Sequence, residues 1–135
     1  MLLFNEIQNV AYVGFGIISA NIIDSIGINK ATNIAAERSL ITNKFLYNKL
    51  LIDGNINVQN DKEIENIIKG DSNYVSIAAA SIIAKVIRDN IMTTYSKIYN
   101  CYLWEKNKGY GTKDHLLAIK KYGKTKIHRY TYRIK

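Results

Sequence analysis

The fold is decided by the stretch KGDSNYVSIAAASIIAKVIRD (residues 69–89), in which a Gly-Asp junction precedes a long run of small and apolar residues. From Val75 onward the apolar spacing is helical and nearly continuous around the axis, which predicts a helix buried on most sides. The polar exceptions fall at i, i+4, i+7 and i+8 and form one narrow stripe, the only part expected to reach water or a ligand. They are Ser81, Lys85, Arg88 and Asp89.

Two aspartates follow short apolar runs that read as strands. Asp53 follows Leu-Leu-Ile at residues 50–52, and Asp71 follows residues 64–68; each lies beside a glycine. If the strands are parallel neighbours, their carboxyl ends meet at one edge of a sheet, where paired carboxylates suit Mg²⁺ or Mn²⁺. The ten-residue connection 54–63 is short for a crossover and long for a tight hairpin, so spacing leaves the topology open. Judged on spacing alone, a turn at Asp53 and a helix cap at Asp71 is the simpler interpretation.

The remaining pattern predicts a mixed α/β chain. We expect a short helix over residues 3–10, a strand over 13–19 and a helix over 26–45. A last helix is expected to begin at the N-cap Thr112 and to end at Gly123, with an apolar face supplied by Leu116, Leu117 and Ile119.

Composition limits the class of protein. With 135 residues, 47 % of them hydrophobic, one domain is the default, and the nearly uncharged run 10–23 is short for a membrane span. The single cysteine, Cys101, excludes an internal disulfide and favours a reducing cytoplasm.

Charge is divided unevenly along the chain. Residues 1–84 hold 6 Lys+Arg and 8 Asp+Glu, a net of −2, whereas residues 85–135 hold 13 and 3, a net of +10. The same last third contains seven of the ten tyrosines and the only tryptophan, Trp104. Interleaved basic and aromatic residues suit a polyanion. A solvated basic surface with tyrosines in the core explains the pattern equally well.

Several blocks resemble one family in their order. LLIDGN (50–55), IIKGD (67–71), SIAAASIIAKVIRD (76–89), KGYGT (108–112) and IHRYTY (127–132) occur as in ribonuclease HII, and residues 24–40 resemble its helical region more loosely. The resemblance runs from about residue 4 to the C-terminus. It implies an RNase H-like α/β fold, a mixed sheet flanked by helices. It also implies hydrolysis of RNA in RNA–DNA hybrids and at ribonucleotides embedded in duplex DNA, with Mn²⁺ or Mg²⁺.

The motif match also assigns roles to residues. Asp53 and Asp71 would be catalytic metal ligands, and Tyr110 would lie on the sugar at the RNA–DNA junction. Positively charged residues would contact the substrate: Lys108, Lys85, Arg88 and Arg129. We expect Asp89 to pair with Lys85, one turn away. We expect His115 and His128 to be structural.

The chain also departs from the family pattern. Family members begin with a strand carrying an adjacent Asp-Glu followed by Gly-Arg-Gly, and this sequence contains neither motif. We therefore expect residues 1–135 to form a single, incomplete domain with a basic C-terminal helical region, lacking the first strands of the sheet and half of the acidic cluster. Bare apolar surface and a free sheet edge should follow.

Three functional interpretations are compatible with this pattern. The chain is a ribonuclease HII with an incomplete active site, a non-catalytic nucleic-acid-binding remnant, or a half-enzyme completed by a separate N-terminal piece. It would then be monomeric or associated with that piece.

Overall fold

The computed structural model describes residues 2–42 and 47–132, and within these ranges the chain is α/β as predicted. Two single-turn 3-10 helices, Gly70–Ser72 and Asn100–Tyr102, join larger elements. None of the described helices is long and apolar enough to cross a membrane. The larger elements are α1 (Leu2–Val10), α2 (Ala20–Ile26), α3 (Ile28–Thr42), β1 (Lys49–Asp53), β2 (Glu63–Ile67), α4 (Val75–Ile98), α5 (Trp104–Asn107) and α6 (Lys113–Tyr122).

The two described strands are parallel, which decides the topology that spacing left open. Their register runs from Lys49 opposite Glu63 to Asp53 opposite Ile67. At the start, the Lys49 ammonium lies 2.7 Å from the carboxylates of both Glu63 and Glu65, and these hydrogen bonds raise the pKa of Lys49. Because the strands are parallel, both carboxyl ends lie at one edge of the sheet. The second strand ends one residue earlier than predicted.

The predicted strand over residues 13–19 is wrong. This segment has no regular secondary structure and runs against α3 instead. A Cβ on Gly16 would lie 1.9 Å from the carbonyl oxygen of Ala35, so only glycine permits this approach. The Ile17 carbonyl accepts a hydrogen bond of 2.8 Å from Arg38. In this segment a backbone carbonyl is thus bonded to a helix side chain and not to a neighbouring strand. β propensity therefore predicted the wrong secondary structure.

The predicted helix over residues 26–45 is interrupted at its start. Gly27, with φ of 82°, ends α2, and α3 begins at Ile28. Residues 43–45 of that prediction lie outside the described ranges. The helices predicted over residues 3–10 and from Thr112 to Gly123 are confirmed. However, Leu117, assigned to the apolar face of α6, is 54 % exposed.

The start of α4 is confirmed, but the expectation that it is buried on most sides is wrong. Ile77 and Ile83 are buried, but Ala80 and Ala84, which helical spacing places on the same face, are exposed. A Cβ on Gly70 would lie 2.5 Å from Ile77 Cδ1, which shows how closely the preceding turn approaches the helix. The apolar face of α4 is therefore only partly covered by the described residues.

The main core lies in the C-terminal third. Tyr102, Trp104 and Ala118 form a buried cluster, in which the rings of Tyr102 and Trp104 stack with centroids 5.0 Å apart. Part of the tyrosine set is thus core, as one interpretation held, while another part is exposed, including Tyr110 and Tyr132. The half-buried side chains around the cluster are Met92, Tyr95, Tyr99, Cys101, Ile119 and Ile127.

Candidate active site and nucleic-acid groove

The carboxyl edge of the sheet brings the two predicted aspartates near each other. Asp53 is the last residue of β1, and its Oδ1 accepts a 2.9 Å hydrogen bond from the backbone N–H of Gly70. Asp71 is the next residue, within the 3-10 turn that follows Lys69, whose φ is 55°. The N-cap of α4 is Tyr74, so Asp71 does not cap this helix. The parallel strands, rather than a capping role, explain its position.

These carboxylates provide the donor type that a hard divalent ion prefers. One oxygen of Asp53 is bound to the Gly70 amide, while Asp71 has only a long contact of 3.5 Å with the Ser72 hydroxyl. Both side chains are exposed. Mg²⁺ commonly uses one or two protein carboxylates and keeps several waters, so the type and number of these side chains suit one such ion. Within residues 2–42 and 47–132 no group of three or more His, Cys, Asp or Glu could hold a metal, so a two-metal site would need further carboxylates.

A groove of about 1250 Å³ begins beside Asp53. It is lined by residues 11–18 and by one face of α4, which includes Ala80 and Ala84. Asp71 and Lys85 are not among the residues that line it. Its lining also includes other predicted site residues: Arg88, Lys108, Tyr110 and Arg129.

The loop around Tyr110 is attached to α4. The Arg88 guanidinium carbon lies 4.2 Å from the centre of the Tyr110 ring, and Arg88 Nη2 donates to the Lys108 carbonyl at 2.9 Å. The Lys108 ammonium donates to the Thr93 hydroxyl at 2.6 Å and to the Glu105 carbonyl at 2.8 Å. Lys108 therefore stabilises the loop internally, and its contact with substrate stays a prediction.

The predicted pairing of Lys85 with Asp89 is present. The Lys85 ammonium lies 3.1 Å from Asp89 Oδ2, and the Lys85 side chain is 64 % exposed. Neither residue lines the groove. The Asp89 side chain is only 23 % exposed, and its Oδ1 is buried without a hydrogen-bond partner among the described residues, so the Lys85 hydrogen bond to Oδ2 partly compensates a buried charge.

His115 and His128 form a hydrogen-bonded pair beside the aromatic core. Trp104 Nε1–H donates to His115 Nε2 at 3.0 Å, which leaves the proton of His115 on Nδ1, where it is donated to the Tyr110 carbonyl at 2.9 Å. His128 Nδ1 accepts from the Thr125 N–H at 2.9 Å, so its Nε2–H points to His115 Nε2 at 3.3 Å. The pair therefore supports the Tyr110 loop through the His115 hydrogen bond.

This pair predicts acid sensitivity. Desolvation first, then repulsion from His115 and Lys124, lowers the pKa of His128 from 6.5 to about 4. Between about pH 4 and 6.5, His128 therefore binds more protons in the unfolded chain than in the folded chain. The stability contributed by the uncharged His128 is complete above about pH 6.5 and is lost as the pH falls toward 4. Urea unfolding followed by tryptophan fluorescence should show the free energy of unfolding falling over this range. His128→Gln should flatten the fall; an equal fall in both proteins would contradict the assignment.

Asp24 is a site residue that local sequence reasoning missed. Its carboxylate accepts from the Tyr130 N–H at 2.6 Å, the Thr131 N–H at 3.1 Å and the Thr131 hydroxyl at 2.5 Å. The Thr131 hydroxyl is the first cause of a lowered pKa at Asp24. These bonds fasten α2 to the segment that carries Arg129. The only sequence signal was its position at the start of the loosely matched block 24–40.

Lys124 completes the attachment of the C-terminal segment. Its ammonium donates to the carbonyls of Arg129 and Tyr130, each at 3.1 Å, and of Tyr132 at 3.3 Å. The backbone of residues 129–132 therefore wraps around the Lys124 ammonium. The Arg129 guanidinium then lies 4.7 Å from the centre of the Tyr132 ring at the groove.

A parallel strand that ends at Asp53, beside a groove lined by Arg88, Tyr110 and Arg129, is the arrangement of an α/β protein with a ligand site at the carboxyl edge of its sheet. The family model described as Ribonuclease HII matches residues 2–135. The chain belongs to the ribonuclease HII family.

Curated relatives agree with this assignment. Proteins named Ribonuclease HII are 45 % identical over 131 residues in Enterococcus faecalis and 43 % identical over 131 residues in Wolbachia sp. subsp. Brugia malayi. These alignments cover 96 % and 97 % of this chain but 51 % and 64 % of the relatives. In Pseudothermotoga lettingae the identity is 45 %, covering 96 % of this chain and 58 % of the relative. The chain therefore spans about half to just under two thirds of the length of these relatives.

Proposed function

We propose that this chain supplies the substrate groove and two metal-binding carboxylates of a ribonuclease HII. The activity is endonucleolytic hydrolysis of RNA in RNA–DNA hybrids and at ribonucleotides embedded in duplex DNA. The observation that carries the proposal is that Asp53, at the end of a parallel strand, lines the same groove as Arg88, Tyr110 and Arg129. Family membership supports it.

The charge distribution supports a nucleic-acid partner. Residues 85–135 carry a net charge of +10, and four of their basic side chains line the groove: Arg88, Lys108, Lys124 and Arg129. Tyr110 and Tyr132 are 56 % and 58 % exposed, so their rings are accessible to sugars or bases. Lys and Arg would neutralise phosphates while the flat rings contact the nucleotides.

Mn²⁺ or Mg²⁺ would be held by Asp53 and Asp71. Such an ion, when bound, stabilises charge on the phosphate and activates a water molecule. The hydrogen bond from Gly70 to Asp53 orients one carboxylate and joins the two strand ends. A Cβ at Gly70 would collide with Ile77, so the close contact between the turn and α4 also sets the position of Asp71.

We further propose that hydrolysis requires the Asp-Glu and Gly-Arg-Gly strand of the family, on the same or another polypeptide. The free edges of the two-stranded sheet formed by the described residues favour this arrangement. The chain is then monomeric or associated with such a piece. Cys101 forms no internal disulfide, which suits the reducing cytoplasm, and we propose that compartment.

Binding to a hybrid duplex tests the groove without requiring hydrolysis. If about four phosphates are neutralised, affinity should fall about 10²-fold between about 50 and 200 mM salt. Arg129→Gln should reduce the slope of log K against log salt by about 1. Lys97→Gln removes the same charge from the end of α4, outside the groove, and should change the slope little. Absence of binding at low salt would contradict the proposed function.

A further inference from the structure

The Tyr110 loop, residues 108–111, is held by side chains from two helices. Arg88 on α4 donates to the Lys108 carbonyl, and His115 on α6 donates to the Tyr110 carbonyl, each at 2.9 Å. Lys108 and Gly109 have φ of 49° and 79°, so two consecutive residues are left-handed. A Cβ on Gly109 would lie 3.0 Å from Met92 Cε on α4. The loop therefore has little freedom to move away from α4.

One face of the Tyr110 ring is covered by Arg88. The guanidinium carbon lies 4.2 Å from the ring centre, which is within the range of a cation–π contact. The Arg88 side chain is 42 % exposed, and the ring remains 56 % exposed. Tyr110 also lines the groove, so the uncovered part of its ring is available there.

Arg88 is suited to this role by its geometry. Its planar group stacks on the ring and at the same time donates to the backbone of the same loop. A second nitrogen, Nη1, lies 3.8 Å from Asp89 Oδ1 and faces this carboxylate. Lysine has neither the flat face nor the fork of donors. Two separate contacts thus hold the guanidinium to the loop, and Asp89 on α4 supplies a nearby negative charge.

We propose that Arg88 is a positioning residue that holds the Tyr110 ring ready for the nucleic acid, and that it does not itself neutralise a phosphate. This inference rests on the proposed function and deepens it. A ring ordered before binding loses less conformational freedom when substrate arrives, which improves affinity. The sequence pattern alone assigned Arg88 to substrate contact, and the two roles make different experimental predictions.

Hybrid binding by the full chain separates the roles. If Arg88 positions Tyr110, Arg88→Lys and Arg88→Gln should weaken binding by similar factors, about 3- to 10-fold, with the salt slope unchanged. Neither change should weaken binding further in a Tyr110→Ala background. If Arg88 contacts phosphate, lysine restores binding, glutamine lowers the slope by about 1 and the effects of Arg88 and Tyr110 add. That second pattern would overturn the proposal.

A measurement without nucleic acid tests the Arg88–Tyr110 contact separately from the proposed function. In NMR spectra, the ring current of Tyr110 should shift the Arg88 side-chain protons, and Tyr110→Leu should remove the shift. The Arg129 protons, whose guanidinium lies 4.7 Å from the Tyr132 ring, serve as an internal control and should not change. Unshifted Arg88 protons in the unmodified chain would overturn the positioning role. Absence of hybrid binding alongside a shifted Arg88 would overturn the proposed function and leave the Arg88–Tyr110 contact established.

Discussion

Replacing Asp53 with asparagine should abolish ribonucleotide cleavage in a completed enzyme, made by mixing this chain with a fragment carrying the Asp-Glu and Gly-Arg-Gly strand of the family. Asparagine keeps the shape of the side chain and an oxygen that can accept from Gly70, but it removes the negative charge that would hold the ion. Since a metal contributes several kcal/mol to charge stabilisation, we expect cleavage to fall about 10³-fold or more. A DNA duplex with one embedded ribonucleotide, incubated with Mn²⁺, is the measurement.

The controls separate the three functional interpretations. The 135-residue chain alone should not cut, and robust cutting would contradict the incomplete site. Binding without cleavage in the mixture would favour the non-catalytic interpretation. Asp61→Asn is the matched control, because Asp61 is 82 % exposed beside Lys62 in the connection between the strands. It should leave cleavage in the mixture unchanged.

Replacing Trp104 with alanine should cost about 3–5 kcal/mol of unfolding free energy. Trp104 is 1 % exposed, stacks on Tyr102 and donates to His115, so its loss leaves a cavity and removes a hydrogen bond at once. Small domains are stable by about 5–15 kcal/mol, so most of the stability would be lost. Urea unfolding followed by circular dichroism measures the change, since the variant lacks the only tryptophan.

Two further variants define the origin of that loss. Trp104→Phe keeps a stacked ring but removes the N–H, and should cost less, about 1–3 kcal/mol. Leu117→Ala also truncates a large apolar side chain near this core, but Leu117 is 54 % exposed and should change stability by under about 1 kcal/mol. An alanine variant at position 104 as stable as the unmodified chain would contradict this account of the core.

Local sequence signals predicted the elements whose boundaries depend on local chemistry. Thr112 caps α6 through a hydrogen bond from the His115 N–H, and Gly123, with φ of 81°, ends it. The strands predicted before Asp53 and Asp71 match the observed strand bounds to within one residue at each end. Such features depend on neighbours in the chain, so a short sequence contains the necessary information.

Prediction failed where burial depends on distant elements. Residues 13–19 have the composition of a strand, but in the described ranges their neighbour is α3, reached through the close approach at Gly16. The apolar character of α4 indicates burial on most sides, whereas its Ala80 side faces the groove. The composition of a segment indicates how favourable its burial would be, but it does not identify which other element covers it.

By itself, the sequence determined the α/β class, the family and the pair of aspartates, because these follow from short blocks in a recognisable order. Only the tertiary structure decided that the two strands are parallel, that Asp24 binds a segment more than a hundred residues away, and that Arg88 lies on the Tyr110 ring. Each of these depends on groups far apart in the chain. The sequence shows which groups can form hydrogen bonds or stack, but tertiary packing determines which partners they meet.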